Sequence, residues 1–264
     1  MPNPSPARMH DFEVVSNEEI AEGIFSLVIL APRLASALKP GQFVNIRVPG
    51  DASELLRIPL SYVSADAEHG TVEIWYAVVG NATRRMSQWK PGFTSDLLGP
   101  GGRGWKAPEG TKRALVVGGG IGVPPVLCLV RELVSAGVAV DACVGAASAS
   151  KLVGLEDFRA LGCDQVCVAT DDGSAGACGF CTDPASELLA TGGYDYVATC
   201  GPGVMMSKVA AAAAEAGVYC EASLERMMSC GFGACSTCNV ETTDGMQGAC
   251  MCGPVFDASK VVVW

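Results

Sequence analysis

The sequence predicts a multi-domain chain. An N-terminal unit of antiparallel strands, a barrel or a sandwich, precedes an α/β unit on a parallel sheet, and a small cysteine-rich unit ends the chain. Three observations predict this. Short β-runs with regular turns fill residues 11–107, apolar strand and helix candidates alternate over 112–217, and from about residue 218 the chain is irregular and crowded with thiols.

In the first region the strand candidates are FSLVILA, GQFVNIRV, PLSYVSA and TVEIWYAVV. Turn-forming KPGQF, KPGF and LGPGGRGW separate them. In the second, KRALVVGGGIGVPPVLCLVRELVSAGVAVDACVGA reads strand, glycine turn, helix, strand. VCVAT and YDYVATCGP are further strands, and the alanines of GVMMSKVAAAAAEAG favour a helix.

Composition narrows the function. Of 264 residues, 49% are hydrophobic and 17% charged, which suits buried cores and not disorder. A net charge of −10 repels a phosphate backbone, so nucleic-acid binding is not expected. A local nest of amides can still hold the phosphates of a dinucleotide. The stretch MPNPSPARMHDFEVV lacks the apolar core of a signal peptide, and no run of ~18 apolar residues suggests a membrane span. The expected location is cytoplasmic, where the 13 cysteines do not read as a disulfide framework. Metal ligation or redox chemistry is the reading for some of them.

Cys230, Cys235 and Cys238 stand in a C-x4-C-x2-C spacing, with Cys250 and Cys252 following. This is the plant-type [2Fe–2S] pattern. The small residues of the GFGA loop let the backbone wrap inorganic sulfur and aim amides at it. Such donors stabilise a negatively charged centre. Zinc sites more often use two separated C-x2-C knuckles, and zinc or bare thiols are the competing readings. Spacing alone leaves Cys250 and Cys252 both open as the fourth ligand.

Two glycine turns follow strands. In VVGGGIGVPP, Gly118, Gly119, Gly120 and Gly122 let the backbone approach a ligand, with a helix N-terminus behind them. The run is not a strict G-x-G-x-x-G, and no acidic residue is obviously placed to read a ribose hydroxyl. In TCGPGVMM, Cys200, Gly201 and Pro202 end a strand at the same sheet edge, so both turns are expected to face one pocket, with Cys200 near a nicotinamide ring. A ligand-free tight turn is the bland alternative for each. In LLRIPLSYVS, Arg57 offers a pyrophosphate contact, Pro59 fixes the backbone and Ser61 offers a hydroxyl.

Taken in order, these parts resemble the ferredoxin–NAD(P) reductase superfamily. Within it they are most similar to the electron-transfer subunits of type 1B dihydroorotate dehydrogenases. The resemblance covers nearly the whole chain and rests on GGGIGVPP, CGP, SLERMMSCGFGACSTC and the terminal CxxGPVF. It implies Cys250, three positions before Gly253, as the fourth ligand beside Cys230, Cys235 and Cys238. It also implies a barrel of residues 9–108 holding FAD, a unit of 109–217 holding NAD, and a cluster unit of 218–264. The family's flavin motif, Arg-Pro-x-Ser, falls on Ile58, Pro59, Leu60 and Ser61, so an isoleucine stands where the motif has arginine and Arg57 would take its place. Trp75, Tyr76, Ala77, Ala82 and Thr83 are the other implied flavin contacts.

The implied activity is electron transfer. An FMN-containing partner oxidises dihydroorotate to orotate, in a heterotetramer with two copies of each chain, and electrons pass through [2Fe–2S] and FAD to NAD, in pyrimidine biosynthesis. No acid–base pair or triad is expected, since flavin and cluster carry the chemistry. His10 and His69 read as surface residues. The C-x2-C pair Cys178 and Cys181 reads as a plain loop, with a redox dithiol as its rival. A subunit coupling NAD(P)H to ferredoxin or another dehydrogenase is the second enzyme reading. A nucleotide-sensing module with structural zinc is the non-enzyme reading.

Overall fold

A computed structural model describes residues 7–50 and 55–264. Residues 1–6, part of the N-terminal stretch considered above, and 51–54 within the barrel region lie outside the described residues.

Among the described residues the N-terminal unit contains seven strands: β1 (Arg8–Ala21), β2 (Ile24–Leu30), β3 (Phe43–Ile46), β4 (Ile58–Ser61), β5 (Ser64–Asp66), β6 (Thr71–Ala77) and β7 (Thr94–Gly101). They form one antiparallel sheet in the order β4-β3-β7-β1-β2-β6-β5. The sheet curls until β4 packs against β6. Two short helices, α1 (Pro32–Ala35) and α2 (Asn81–Met86), add Leu34, Ala35 and Met86 to its core. Alternation sends Leu27, Ile29, Val72, Ile74 and Tyr76 into the barrel core.

One expectation fails in this unit. LGPGGRGW, read as a separator, begins inside β7, which runs through Leu98, Gly99, Pro100 and Gly101. Glycine is there for close packing, not for a turn. A Cβ on Gly101 would strike the Phe43 ring at 2.6 Å, and one on Gly99 would crowd Val44 at 3.0 Å.

The second unit alternates as expected: β8 (Arg113–Gly119), α3 (Val123–Ser135), β9 (Ala139–Ala146), α4 (Leu155–Ala160), β10 (Gln165–Thr170), β11 (Ala177–Cys178), α5 (Thr182–Thr191), β12 (Tyr196–Cys200) and α6 (Gly203–Glu215). β13 (Tyr219–Ser223) extends its sheet. Then β14 (Asn239–Thr242) and β15 (Gly245–Gly248) form a separate hairpin, and β16 (Val255–Asp257) returns to the sheet. The order β11-β10-β9-β8-β12-β13-β16 is parallel except for the final pair. The strand at 219–223, placed by sequence in the cysteine-rich region, therefore belongs by hydrogen bonding to the α/β sheet. The irregular thiol-bearing segment is an excursion from that sheet which β16 closes.

The chain moves from β8 to β9 on one side and reaches β12 on the other. The crevice at this reversal is where open parallel sheets place ligands. Barrel and sheet meet through apolar side chains: Ile24 and Trp75 join the core around α3, while Cys128 of α3 joins the barrel core. The connecting segment is pinned as well. Trp105 Nε1 donates to Pro125 O at 2.8 Å, and the Lys106 amide donates to Glu221 Oε2 at 2.8 Å.

Candidate functional site

A cavity of about 460 Å³ opens where barrel, sheet and C-terminal segment meet. The barrel contributes Ile58, Pro59, Leu60 and Ser61 of β4, Trp75 and Ala77 of β6, and Thr83 of α2. Pro124 and Pro125 at the start of α3 and Cys200 at the end of β12 form the second wall. The third is the run Ser223–Met228, which sequence reasoning did not assign to this cavity. Its only signal was adjacency, since SLERMMSC leads straight into the first thiol.

Three proposed flavin contacts are not on these walls. Arg57 turns to β7: its guanidinium pairs with the Asp96 carboxylate and donates to the Asp96 carbonyl at 3.2 Å. That side chain pairs with a carboxylate and does not line this cavity, whereas Ile58 does. Tyr76 falls on the opposite face of β6 from Trp75 and Ala77. It is buried in the barrel, stacks on Phe25 at 5.7 Å, and donates its hydroxyl to Asn17 Oδ1 at 3.0 Å. Ala82 packs against the barrel core. The Thr83 hydroxyl accepts the amides of Val79 and Gly80 at 3.0 and 3.1 Å, so it builds the turn that shapes the wall.

Trp75 is held firmly. Glu73 accepts its indole N–H at 2.7 Å, along with the hydroxyls of Ser26 at 2.8 Å and Ser64 at 3.0 Å. Burial pushes the Cys200 thiol far above its usual range, so it is neutral at physiological pH.

The two glycine turns meet because β8 and β12 are hydrogen-bonded neighbours, with Gly118 opposite Cys200. Gly122 lies so near the Cys200 carbonyl that any Cβ would collide with it. Gly119, Gly120 and Pro202 line a second cavity of about 320 Å³, together with Asp171, Phe180, Cys181 and Lys208. Gly118, Gly122 and Gly201 support the turns from beneath and do not line that cavity. Asp171 is an acidic residue on this cavity that the sequence reading did not single out. It sits just after β10, two strands away from the glycine turn in the sheet and 51 positions beyond Gly120 in the sequence.

Cys178 and Cys181 turn to different neighbours. Cys178 is exposed near the Asp171 carbonyl at 3.9 Å, while Cys181 is buried beside Met205 Sδ at 3.6 Å. Burial raises the Cys181 thiol to about 11. His69 is exposed and paired with Asp66 at 2.7 Å, and His10 is half-buried at the Gly99 carbonyl.

The thiols of Cys230, Cys235, Cys238 and Cys250 are neighbours. Cys235 interacts with Cys230, Cys250 with Cys238, and Cys230 also acts on Cys250. Among the described residues no three metal-ligating side chains close on a single point. Four neighbouring thiols suit a binuclear centre with two thiolates per iron. The Ala234 amide donates to Cys230 Sγ at 3.2 Å, and the Cys250 amide to Cys238 Sγ at 3.4 Å. The Thr237 hydroxyl, 3.2 Å from Cys235 Sγ, is the chief cause that lowers this thiol to about 6. Burial and the Cys238 thiol raise Cys250 to about 12. Ser236, between Cys235 and Cys238, carries φ 56°, a left-handed value uncommon for a residue other than glycine. Cys252 is partly buried against the same apolar cluster that contains Cys238 and Cys250.

A cavity between antiparallel barrel and parallel sheet, a dinucleotide crevice beside it, and neighbouring thiols behind its third wall define an iron–sulfur flavoprotein oxidoreductase of the ferredoxin reductase type. Residues 225–262 match the family model for the iron–sulfur cluster binding domain of dihydroorotate dehydrogenase B. The chain is 39% identical over 257 residues to the dihydroorotate dehydrogenase B (NAD(+)) electron transfer subunit of Bacillus caldolyticus, covering 95% of this chain and 97% of that one. It is 35% identical to the Fusobacterium nucleatum counterpart, covering 97% and 99%. The chain belongs to this family of electron transfer subunits.

Among solved structures, a chain of an NADH-dependent reduced ferredoxin-NADP oxidoreductase studied for flavin-based electron bifurcation superposes with a TM-score of 0.86. It is 32% identical, covering 95% of this chain and 89% of that one. The ferredoxin reductase of carbazole 1,9a-dioxygenase, 21% identical with a TM-score of 0.67, shares the fold over 81% of this chain and 67% of its own.

Proposed function

We propose that this chain relays electrons from a dihydroorotate-oxidising, FMN-containing partner through a [2Fe–2S] centre and FAD to NAD, in an assembly with two copies of each subunit. One observation carries this reading: Ser223–Met228 walls the first cavity, and two residues later Cys230 opens the cluster loop. The two cofactor sites thus share one short stretch of backbone.

FAD is assigned to residues 9–108 with Ile58–Ser61, Trp75 and Ala77 against it, NAD to 109–217, and the cluster to 218–264 with Cys230, Cys235, Cys238 and Cys250 as ligands. Bound FAD exchanges a hydride with NAD and single electrons with the centre. The protein contributes placement. Trp75, Leu224 and Met228 exclude water from the flavin cavity, and neutral Cys200 closes its sheet side without adding charge. The GFGA and Cys250 amides offset the negative charge of a thiolate-bound centre. In the second cavity Lys208 supplies a cation for the dinucleotide phosphates, and Asp171 favours a free ribose 2′-hydroxyl over a 2′-phosphate. Exposed Met227 and Phe232 flank Cys230 and give the partner an apolar surface at the cluster.

The test is anaerobic co-purification with the partner subunit, cofactor analysis and a dihydroorotate:NAD assay. Flavin and iron–sulfur absorbance with orotate-coupled NADH formation supports the reading; a colourless, zinc-containing chain refutes it. The likeness to the NADH-dependent ferredoxin-NADP oxidoreductase chain supports a second reading, with the same cofactors serving another dehydrogenase. Cofactors present, but no dihydroorotate oxidation with the co-purified partner, would select it. Among the described residues no helix is long and apolar enough to cross a membrane, and a cytoplasmic setting is part of the proposal.

A further inference from the structure

Asn45 lies on β3, and strand alternation decides what it faces. Val44 and Ile46 point into the barrel core. Phe43, on the same face as Asn45, belongs instead to the apolar cluster that holds Leu224, Met228, Cys238, Cys250 and Phe256 of the thiol-bearing region. Asn45 is only 3% exposed, and its Nδ2 has no hydrogen-bond partner among the described residues. Buried side-chain donors are seldom left this way, because an unmade hydrogen bond loses the hydration of the group without replacing it.

The Asn45 amide abuts the cluster loop. A Cβ on Gly231, the residue after Cys230, would stand 2.8 Å from Asn45 Cγ and 3.0 Å from Oδ1, and nearer still to Nδ2. Gly231 therefore keeps the loop pressed against this one polar group of the barrel. Across the sheet, Asn45 pairs with Pro59, which lines the flavin cavity. The orphan donor thus sits between the flavin wall and the first cluster thiol.

We infer that Asn45 Nδ2 donates a hydrogen bond to the sulfur face of the [2Fe–2S] centre beside Cys230 and raises its reduction potential. The inference rests on the cluster reading above. The sign follows from charge: the reduced centre is one unit more negative, so a donor stabilises it more than the oxidised one. Asn45 is a positioning residue set from the barrel, 185 positions before the first thiol.

The test is a redox titration of the isolated holo-chain, with the cluster followed by electron paramagnetic resonance and the flavin by absorbance. Asn45→Leu removes the donor, and Asn45→Asp replaces it with an acceptor at the same size. Both should disfavour cluster reduction about tenfold, a fall of ~59 mV for one electron, with the flavin potential unmoved. Asn45→Asp adds a negative charge as well as removing the donor, so the potential of Asn45→Leu, which removes the donor alone, decides the inference. An assembled variant with the wild-type cluster potential overturns it. Wild-type chain lacking iron and sulfide would instead overturn the cluster reading itself.

Discussion

Trp75 Nε1 donates to the Glu73 carboxylate at 2.7 Å, on the face of β6 that looks toward the α/β unit. The same carboxylate also accepts two serine hydroxyls, so one acidic side chain on the barrel sets the indole that walls the first cavity. Glu73→Ala leaves three donors without an acceptor, at a cost of ~1–3 kcal/mol. The expected outcome is a lower Tm of the apo-chain and FAD binding weakened roughly tenfold, ~1.4 kcal/mol. Flavin fluorescence titration and a thermal melt read both, and unaltered FAD affinity would show that Trp75 is placed by packing alone.

Cys250 and Cys252 are two residues apart, yet only Cys250 meets Cys238. Cys250→Ser should lose most iron and sulfide when purified without air, while Cys252→Ser keeps both. The reverse pattern in iron and sulfide assays would reassign the fourth ligand.

Asp171 faces the crevice beside Gly120. Asp171→Ser removes a negative charge that a 2′-phosphate would have to approach. The ratio of kcat/KM for NADPH to that for NADH, read with an artificial acceptor, should rise at least about tenfold, ~1.4 kcal/mol. An unchanged ratio would place the ribose elsewhere.

Glu221 is buried and accepts the Tyr196 hydroxyl at 2.6 Å and the Lys106 amide at 2.8 Å. Burial raises its carboxyl above the ordinary 4.5, with those donors pulling the other way. A raised folded-state value means the folded chain holds the proton more tightly. Its contribution is therefore complete below 4.5 and declines as pH rises through the folded value. Glu221→Gln keeps an acceptor and cannot ionise. Its melting temperature relative to wild type should climb with pH above this point; ~1 kcal/mol moves Tm by ~2–4 °C in a chain of this size. Parallel Tm curves across pH 4 to 8 would contradict the assignment.

Much of the architecture was legible because it is local. The alanine-rich run became α6, VVGGG became the end of β8 and its turn, and the thiol spacing located the cluster loop. Two readings turned on contact between distant segments, and one on local alternation. LGPGG read as a turn because nothing nearby showed that Phe43 would fill the space beside Gly101. Arg57 looked available because Asp96, 39 positions on, was invisible as its partner. Tyr76 was grouped with Trp75, although alternation alone could have separated them.

By itself, the sequence determined the order of the units, the two glycine turns and the cysteine spacing. Each of these depends on backbone freedom or periodicity over a few residues. Only the tertiary structure decided which thiols are neighbours, that Asp171 enters the dinucleotide crevice, and that the Asn45 amide stands against Gly231. Those relationships arise where strands far apart in the chain are brought to one edge. There, burial and charge act through distances in space that no spacing in the chain encodes.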